Sequence, residues 1–227
     1  MKLSWLFAVV AFSALVASPA SAQQSPLDQA VASMDRASDN FRSTEASFVW
    51  NQYTKVVDDM NTQKGKVYFR RTGNGVEMAA NLTDPSPEQI LFQNGKVQLY
   101  RPSIEQVTVY NAGQNRAAVE SFLVLGFGGS GKDMMKTFDV SYLGSENVDG
   151  VSTTKLQLVP KSDRIRNTFD HIVLWIDPAR GISIQQQFIT PNGDYKLAKY
   201  SDIKLNGKIS DDAFRLKTTS KTKFVSP

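Results

Sequence analysis

The stretch Gly126-Phe-Gly-Gly-Ser-Gly-Lys132 has the spacing of a phosphate-binding loop, G-x-x-x-x-G-K. In such a loop the backbone N–H groups cradle phosphates, the lysine reaches the outer ones, and a Ser or Thr after the lysine coordinates magnesium. Here Asp133 stands where that Ser or Thr belongs, and a carboxylate there repels phosphate. The preceding Phe122–Leu125 run also falls in a helical pattern, whereas the motif needs the end of a parallel strand. Nucleotide binding is therefore not expected. The stretch reads instead as a flexible glycine-rich joint, between the apolar residues Phe122–Phe127 and Met134-Met135.

Other candidate chemistry is sparse. His171 is the single histidine, set between apolar residues in FDHIVLW, and there is no cysteine. With neither a second histidine nor a thiolate, a metal centre is not expected, and a half-buried structural histidine is the simpler reading. No G-x-S-x-G element accompanies His171 to make a hydrolase triad. Asp58-Asp59 and Asp211-Asp212 are adjacent pairs, and neighbours on a strand point to opposite faces, which argues against shared acid–base work. The second pair resembles a helix start before Ala213-Phe214. Asn81-Leu82-Thr83 matches a glycosylation sequon by chance. The chain is not expected to be an enzyme or to hold a cofactor.

The elements that carry these residues alternate in period. Ser25-Pro26 forms a helix start, with Ser as cap and Pro at the first helical position. Leu27, Ala30, Val31, Met34, Ala37 and Phe41 then recur at spacings of three and four, an amphipathic helix. Residues 46–111 alternate with period two and read as a meander of five or six antiparallel strands. Val67 and Phe69 share one face of KGKVYFRR and Lys66, Tyr68 and Arg70 the other, while Val76, Met78, Ala80 and Leu82 align in GVEMAANL. Asn94-Gly95 predicts a type I′ hairpin. A helical insert over 116–136 interrupts the strands, which then resume to about residue 206. There are about eleven strands in all and no βαβ alternation. The expected fold is mainly β (α+β), a curled antiparallel sheet with helices on its concave side.

Residues 1–22, MKLSWLFAVVAFSALVASPASA, have the make-up of a secretory signal. Lys2 precedes an apolar run, Leu3–Ala17, and Ala20-Ser21-Ala22 is an A-x-A cleavage site, placing cleavage after Ala22. That run of about 15 residues is short of the roughly 20 that span a bilayer. Residues 23–227 are expected to form one exported, periplasmic domain. Without cysteine the domain must rest on apolar burial alone, and it cannot carry a lipid on a cysteine. The net charge of +4 is scattered, and no basic–aromatic pattern points to nucleic acid.

The sheet strands and the insert are rich in aromatic and large aliphatic residues. These form either an ordinary core between sheet and helices or the wall of a separable apolar cavity that opens around acyl chains. Strand parity nominates Phe48, Trp50, Val67, Phe69, Val76, Met78, Leu99, Val107, Val109, Leu174 and Phe188 as cavity residues. The insert adds Phe122, Leu123, Leu125 and Phe127.

The layout resembles the periplasmic outer-membrane lipoprotein carriers of the LolA type and the wider LolA/LolB-like superfamily. The resemblance spans nearly all of residues 23–227. It rests on LDQAVASMDRASDNFRS, KGKVYFRR after a charged turn, ILFQNGKVQLYRPSIEQVTVY, the insert before FDVSYLG, LQLVPK, and IVLWIDPARGISIQQQFITPNGD. YSDIKLN at 200–206, Ile209-Ser210 and Phe214 complete it. The resemblance implies an open half-barrel closed by helices, holding lipoprotein acyl chains or lipids in an apolar cavity. It also implies cargo received from an inner-membrane ABC transporter and handed to an outer-membrane acceptor, with the carrier a diffusing monomer. The family's second strand leads through a proline-glycine turn to an arginine that bonds the lid. Here the stretch is RRTGNGVEM, with Val76, Glu77 and Met78 at those places, so the sequence assigns no lid-bonding arginine. An alternative within the same fold is a lipid-binding regulatory module like the anti-sigma-factor regulators.

Overall fold

A computed structural model describes residues 24–113 and 123–227. The signal-like segment 1–22, Phe122 and most of the first half of the insert lie outside the described residues. Helix α1 spans Pro26–Asp39, with Ser25 Oγ accepting from the Asp28 N–H as its cap. Strands β1 (Ser43–Thr54), β2 (Asp59–Thr72), β3 (Gly75–Asp84), β4 (Glu88–Gln93), β5 (Lys96–Arg101) and β6 (Gln106–Asn111) form the first meander. The Asn94-Gly95 hairpin has positive φ at both residues, as type I′ requires.

After the insert come α2 (Gly131–Thr137), β7 (Phe138–Val148), β8 (Val151–Pro160), the single turn α3 (Asp163–Arg166), β9 (His171–Asp177), β10 (Ile182–Ile189) and β11 (Tyr195–Leu205). A twelfth strand, β12 (Lys223–Val225), comes from the C-terminal tail. The sheet order is β12-β6-β5-β4-β3-β2-β1-β11-β10-β9-β8-β7, so the sheet is open and does not close on itself. All neighbouring pairs are antiparallel except β12 with β6. The result is a curled half-barrel, with eleven strands from the two meanders and one from the tail.

Both sheet faces bury apolar side chains. On the concave face α1 lays Ala30, Val31 and Met34 against Leu156, Leu158, Ile172, Leu174 and Ile176 of β8 and β9. Fully burying each large side chain of such a set contributes roughly 1.5–3 kcal/mol. On the convex face the tail crosses β3 and β4, and Phe214 packs on Ala79 and Leu91. The Asp211–Phe214 turn is capped by Ser210, whose Oγ accepts from the Asp212 N–H. Arg70 clamps it from β2, lying 4.0 Å over the Phe214 ring. It also pairs with Glu77 at 2.5 Å and with Asp211.

Two expectations change here. Val107 and Val109 do not face the cavity. The register pairs Val107 with Tyr100 and Val109 with Gln98, and Gln98 with Leu91, all on the convex side. Alternation could not reveal this because both faces are covered and both carry apolar residues. The glycine stretch is also no loose joint. Gly128 has φ +90°, and a Cβ there would lie 2.3 Å from the Phe41 ring; at Gly126, φ +81°, it would lie 2.5 Å from Ser183 Cβ. These glycines let the chain press onto the sheet and helix.

Candidate functional site

The chain from Leu123 to Ser130 forms a strap across the other half of the concave face. Phe127 is its plug, 1% exposed. Its ring stacks on Phe69 at 5.4 Å and meets Tyr200 edge-on at 4.5 Å. The strap backbone is tied down by polar groups of the sheet. Gln186 Nε2 donates to the Leu125 carbonyl at 2.6 Å, and Tyr200 Oη donates to Gln186 Oε1 at 3.2 Å. The Ser183 N–H donates to the Gly126 carbonyl at 2.8 Å. Burial raises the Tyr200 phenol well above its ordinary pKa, so the hydroxyl stays a neutral donor.

Arg71 supplies the last tie. It continues the inward row Val67, Phe69, Arg71 on β2. Its Nη1 donates to the Ser38 carbonyl at the end of α1, 3.2 Å away, and its Nη2 to the Gly128 carbonyl of the strap at 3.3 Å. The guanidinium also lies 5.6 Å over the Phe41 ring. Counted by the family pattern, the lid-bonding arginine falls on the far side of the Gly73-Asn74 turn, where this sequence has Val76, Glu77 and Met78. The parity of β2 carried the signal.

Beneath the strap lies a cavity of about 190 Å³. Of the nominated residues, Trp50, Val67, Phe69, Met78, Leu123, Phe127 and Phe188 line it. Ala80, Gln186, Lys196, Ala198 and Tyr200 complete the wall and were not nominated. Phe48 stacks on Trp50 at 4.4 Å, on the same face of β1 but outside the lining. Val76 and Leu99 share the concave face by register but lie beyond the cavity. Leu174 and Leu125 belong to the core packed under α1 and are not cavity residues, a correction that follows from where α1 lies. Gln186 and Tyr200 hold the strap, leaving a wall that is otherwise apolar apart from Lys196.

The phosphate-loop look-alike has a specific local explanation. The N-terminus of α2 is already served by a carboxylate of α1. Asp35 Oδ1 accepts from Ser130 Oγ at 2.7 Å and from the Lys132 N–H at 3.1 Å, and Lys132 Nζ lies 3.6 Å from Oδ2. Ser130 Oγ in turn accepts from the Asp133 N–H. Burial pushes the Asp35 carboxyl up, but these hydrogen bonds and the lysine charge outweigh it and hold it below the usual range. Helix-terminal N–H groups and a carboxylate satisfy each other here.

His171 Nδ1 sits 2.6 Å from Asp170 Oδ2 at the half-exposed start of β9. Asp58 accepts from Tyr53 Oη at 2.9 Å. Among the described residues no group of three or more His, Cys, Asp or Glu comes together as a metal site.

A family model described as outer membrane lipoprotein carrier protein LolA matches residues 39–217. The chain belongs to the LolA family. Solved structures share the fold at low identity. An uncharacterized conserved protein from Thermus thermophilus superposes with TM-score 0.56 at 11% identity, covering 88% of this chain and 98% of that one. MucB superposes with TM-score 0.53 at 11% identity over 84% of this chain. This chain spans 62% of the length of that MucB structure. The complex of Pseudomonas aeruginosa MucA/MucB matches with TM-score 0.50 at 12% identity, covering 84% of this chain and 60% of that one. No curated protein sequence matches. The curled half-barrel is thus the fold of the LolA family as this sequence builds it.

Proposed function

We propose that this LolA-family chain is an exported periplasmic carrier, which buries acyl chains of lipoproteins or lipids under the 123–130 strap and releases them without covalent chemistry. The observation that carries this reading is the apolar cavity itself, walled by Trp50, Val67, Phe69, Met78, Leu123, Phe127 and Phe188. Each buried CH₂ contributes about 0.8 kcal/mol, so a twelve-carbon chain gains on the order of 10 kcal/mol before ordering costs. At about 190 Å³ the cavity under the strap lies below the roughly 300–1,000 Å³ of ordinary ligand pockets. Uptake therefore requires the strap to lift, with Phe127 giving up its place to the chain.

The signal-like residues 1–22 support export, and a carrier of this kind takes its cargo from an inner-membrane transporter and yields it to an outer-membrane acceptor. The β1–β2 turn, at the sheet end near the β10–β11 turn, presents Val56 and Val57 at 89% and 66% exposure. Such an apolar tip suits contact with a membrane or an acceptor.

The experiment is purification from the native host, organic extraction and mass spectrometry of the extract. Acylated species in stoichiometric amount are expected. An empty protein that also fails to bind an environment-sensitive apolar dye contradicts the reading. Recovery of a signalling protein in place of a transporter subunit in a pull-down would move it to a lipid-responsive regulatory module.

A further inference from the structure

We infer that the cavity selects amphiphiles whose acyl chain ends in an anion, a carboxylate or a phosphate, held by Lys196 beside the Trp50 ring. This inference rests on the acyl-binding reading of the cavity and adds the chemistry of the headgroup.

Lys196 is on β11, facing Gln52 of β1 and Phe188 of β10. Its side chain shares the concave face with Ala198 and Tyr200 and lines the cavity. It lies one step nearer the Pro191–Asp194 turn than the Trp50–Ala198–Gln186 row, at the end of the cavity away from Phe127. The ammonium is 4.8 Å from the Trp50 ring centroid.

Elsewhere on this molecule lysines facing a partner find one: Lys155 meets Glu146, Lys199 meets Asp149, Lys136 meets Asp133. The Lys196 ammonium has no hydrogen bond or ion pair among the described residues. The nearby Asp194 carboxylate is engaged by the Lys55 N–H at 2.8 Å and the Asn192 amide at 2.9 Å. Burial alone lowers the Lys196 pKa, with no neighbouring carboxylate to offset it. A contact with one ring face returns only part of what taking the ammonium out of water costs.

A second donor stands beside it. The buried Trp50 indole N–H lies near the Tyr200 hydroxyl but makes no hydrogen bond of good geometry, so it has no partner of its own. Unmet donors at a cavity wall are costly in the empty protein and favourable with a complementary ligand. An apolar chain alone satisfies neither group. An anion at the head of the chain meets the ammonium, while its methylenes run towards Met78, Phe69 and Phe127.

The test is isothermal titration of the full mature protein with dodecanoate, dodecyl phosphate, dodecanol and acetate. At least one of the two anionic twelve-carbon ligands should bind roughly tenfold more tightly than dodecanol, as a charge-assisted hydrogen bond gives. Comparing the two anions separates a fatty-acid carboxylate from a phospholipid-like phosphate. Lys196→Met should remove the preference of the anions over dodecanol, and Lys196→Arg should restore it. Equal binding of dodecanol and both anions, or a preference that survives Lys196→Met, overturns the inference while leaving an acyl cavity in place. Acetate binding as tightly as dodecanoate overturns it in favour of a plain anion site. If no twelve-carbon ligand binds, the acyl-binding reading falls as well.

Discussion

Under α1, strands β8 and β9 present Leu156, Leu158, Ile172, Leu174 and Ile176, and Ala30, Val31 and Met34 fill the space between them. Across β1, β2, β3 and β11 the same concave face presents Phe48, Val67, Phe69, Ala80 and Leu82, but its cover is the 123–130 strap. A helix carries a continuous stripe that mates with the sheet along four turns. The strap carries Leu123 and Phe127 and leaves about 190 Å³ unfilled. The two covers are also held by different forces. Lifting α1 exposes several fully buried side chains. In the proposed uptake an acyl chain replaces Phe127, and apolar contact is exchanged for apolar contact. What is lost is then chiefly the strap's hydrogen bonds to Gln186, Ser183 and Arg71, each worth about 0.5–1.5 kcal/mol net. On the proposed reading, the molecule joins a half that stays closed to a half that opens.

This contrast can be broken from either side. Leu174→Ala in the packed half should produce the largest effect, a loss of about 2–5 kcal/mol in chemical denaturation. Binding of an apolar dye, measured where the variant is folded, should stay at the wild-type level; a comparable loss of dye affinity would erase the distinction between the halves. Gly128→Ala forces a side chain into φ +90° against Phe41. It should cost about 1–3 kcal/mol and speed dye association, because the strap no longer seats. Arg71→Met removes the tie between β2, α1 and the strap. About 1 kcal/mol of stability should go, with a faster on-rate in stopped-flow; unchanged association kinetics would show that Arg71 only braces α1.

The smallest effect concerns Asp35. Its carboxyl has a lower pKa folded than unfolded, so its contribution is present above the unfolded value, near 4, and is lost as pH falls through the lower folded value. The melting-temperature gap between wild type and Asp35→Asn should be full at neutral pH and close in acid below about pH 4. A gap that widens in acid would contradict this account of the α2 N-terminus.

Much of this architecture is legible in the sequence because its signals are periodic. The α1 stripe, the Asn94-Gly95 hairpin and the alternation through Val67, Phe69, Met78 and Ala80 each encode an element and its buried side. Parity fails where both faces are apolar. Val107 and Val109 look identical to cavity residues until Phe214 and the tail are seen to cover the convex face. The β11 sequence YKLAKY hides Lys196 for a related reason, since its two lysines fall on opposite faces and neither face reads as apolar. Leu174 belongs to the same concave surface as the cavity wall and Leu125 to the strap itself, and only the position of α1 draws them into its core. Arg71 was readable two residues beyond Phe69, but a family pattern counted from the turn pointed past it. The glycines were legible as conformational signals but not as close contacts, because Phe41 and Ser183 approach from distant parts of the chain.

The most direct test of the two-halves account is a crystal structure with an acyl chain brominated at its terminal carbon, located by anomalous scattering. The account predicts a bromine peak among Phe69, Met78 and Phe127 with the strap displaced and α1 in place. A peak beneath α1, among Leu156, Leu158 and Leu174, would contradict it.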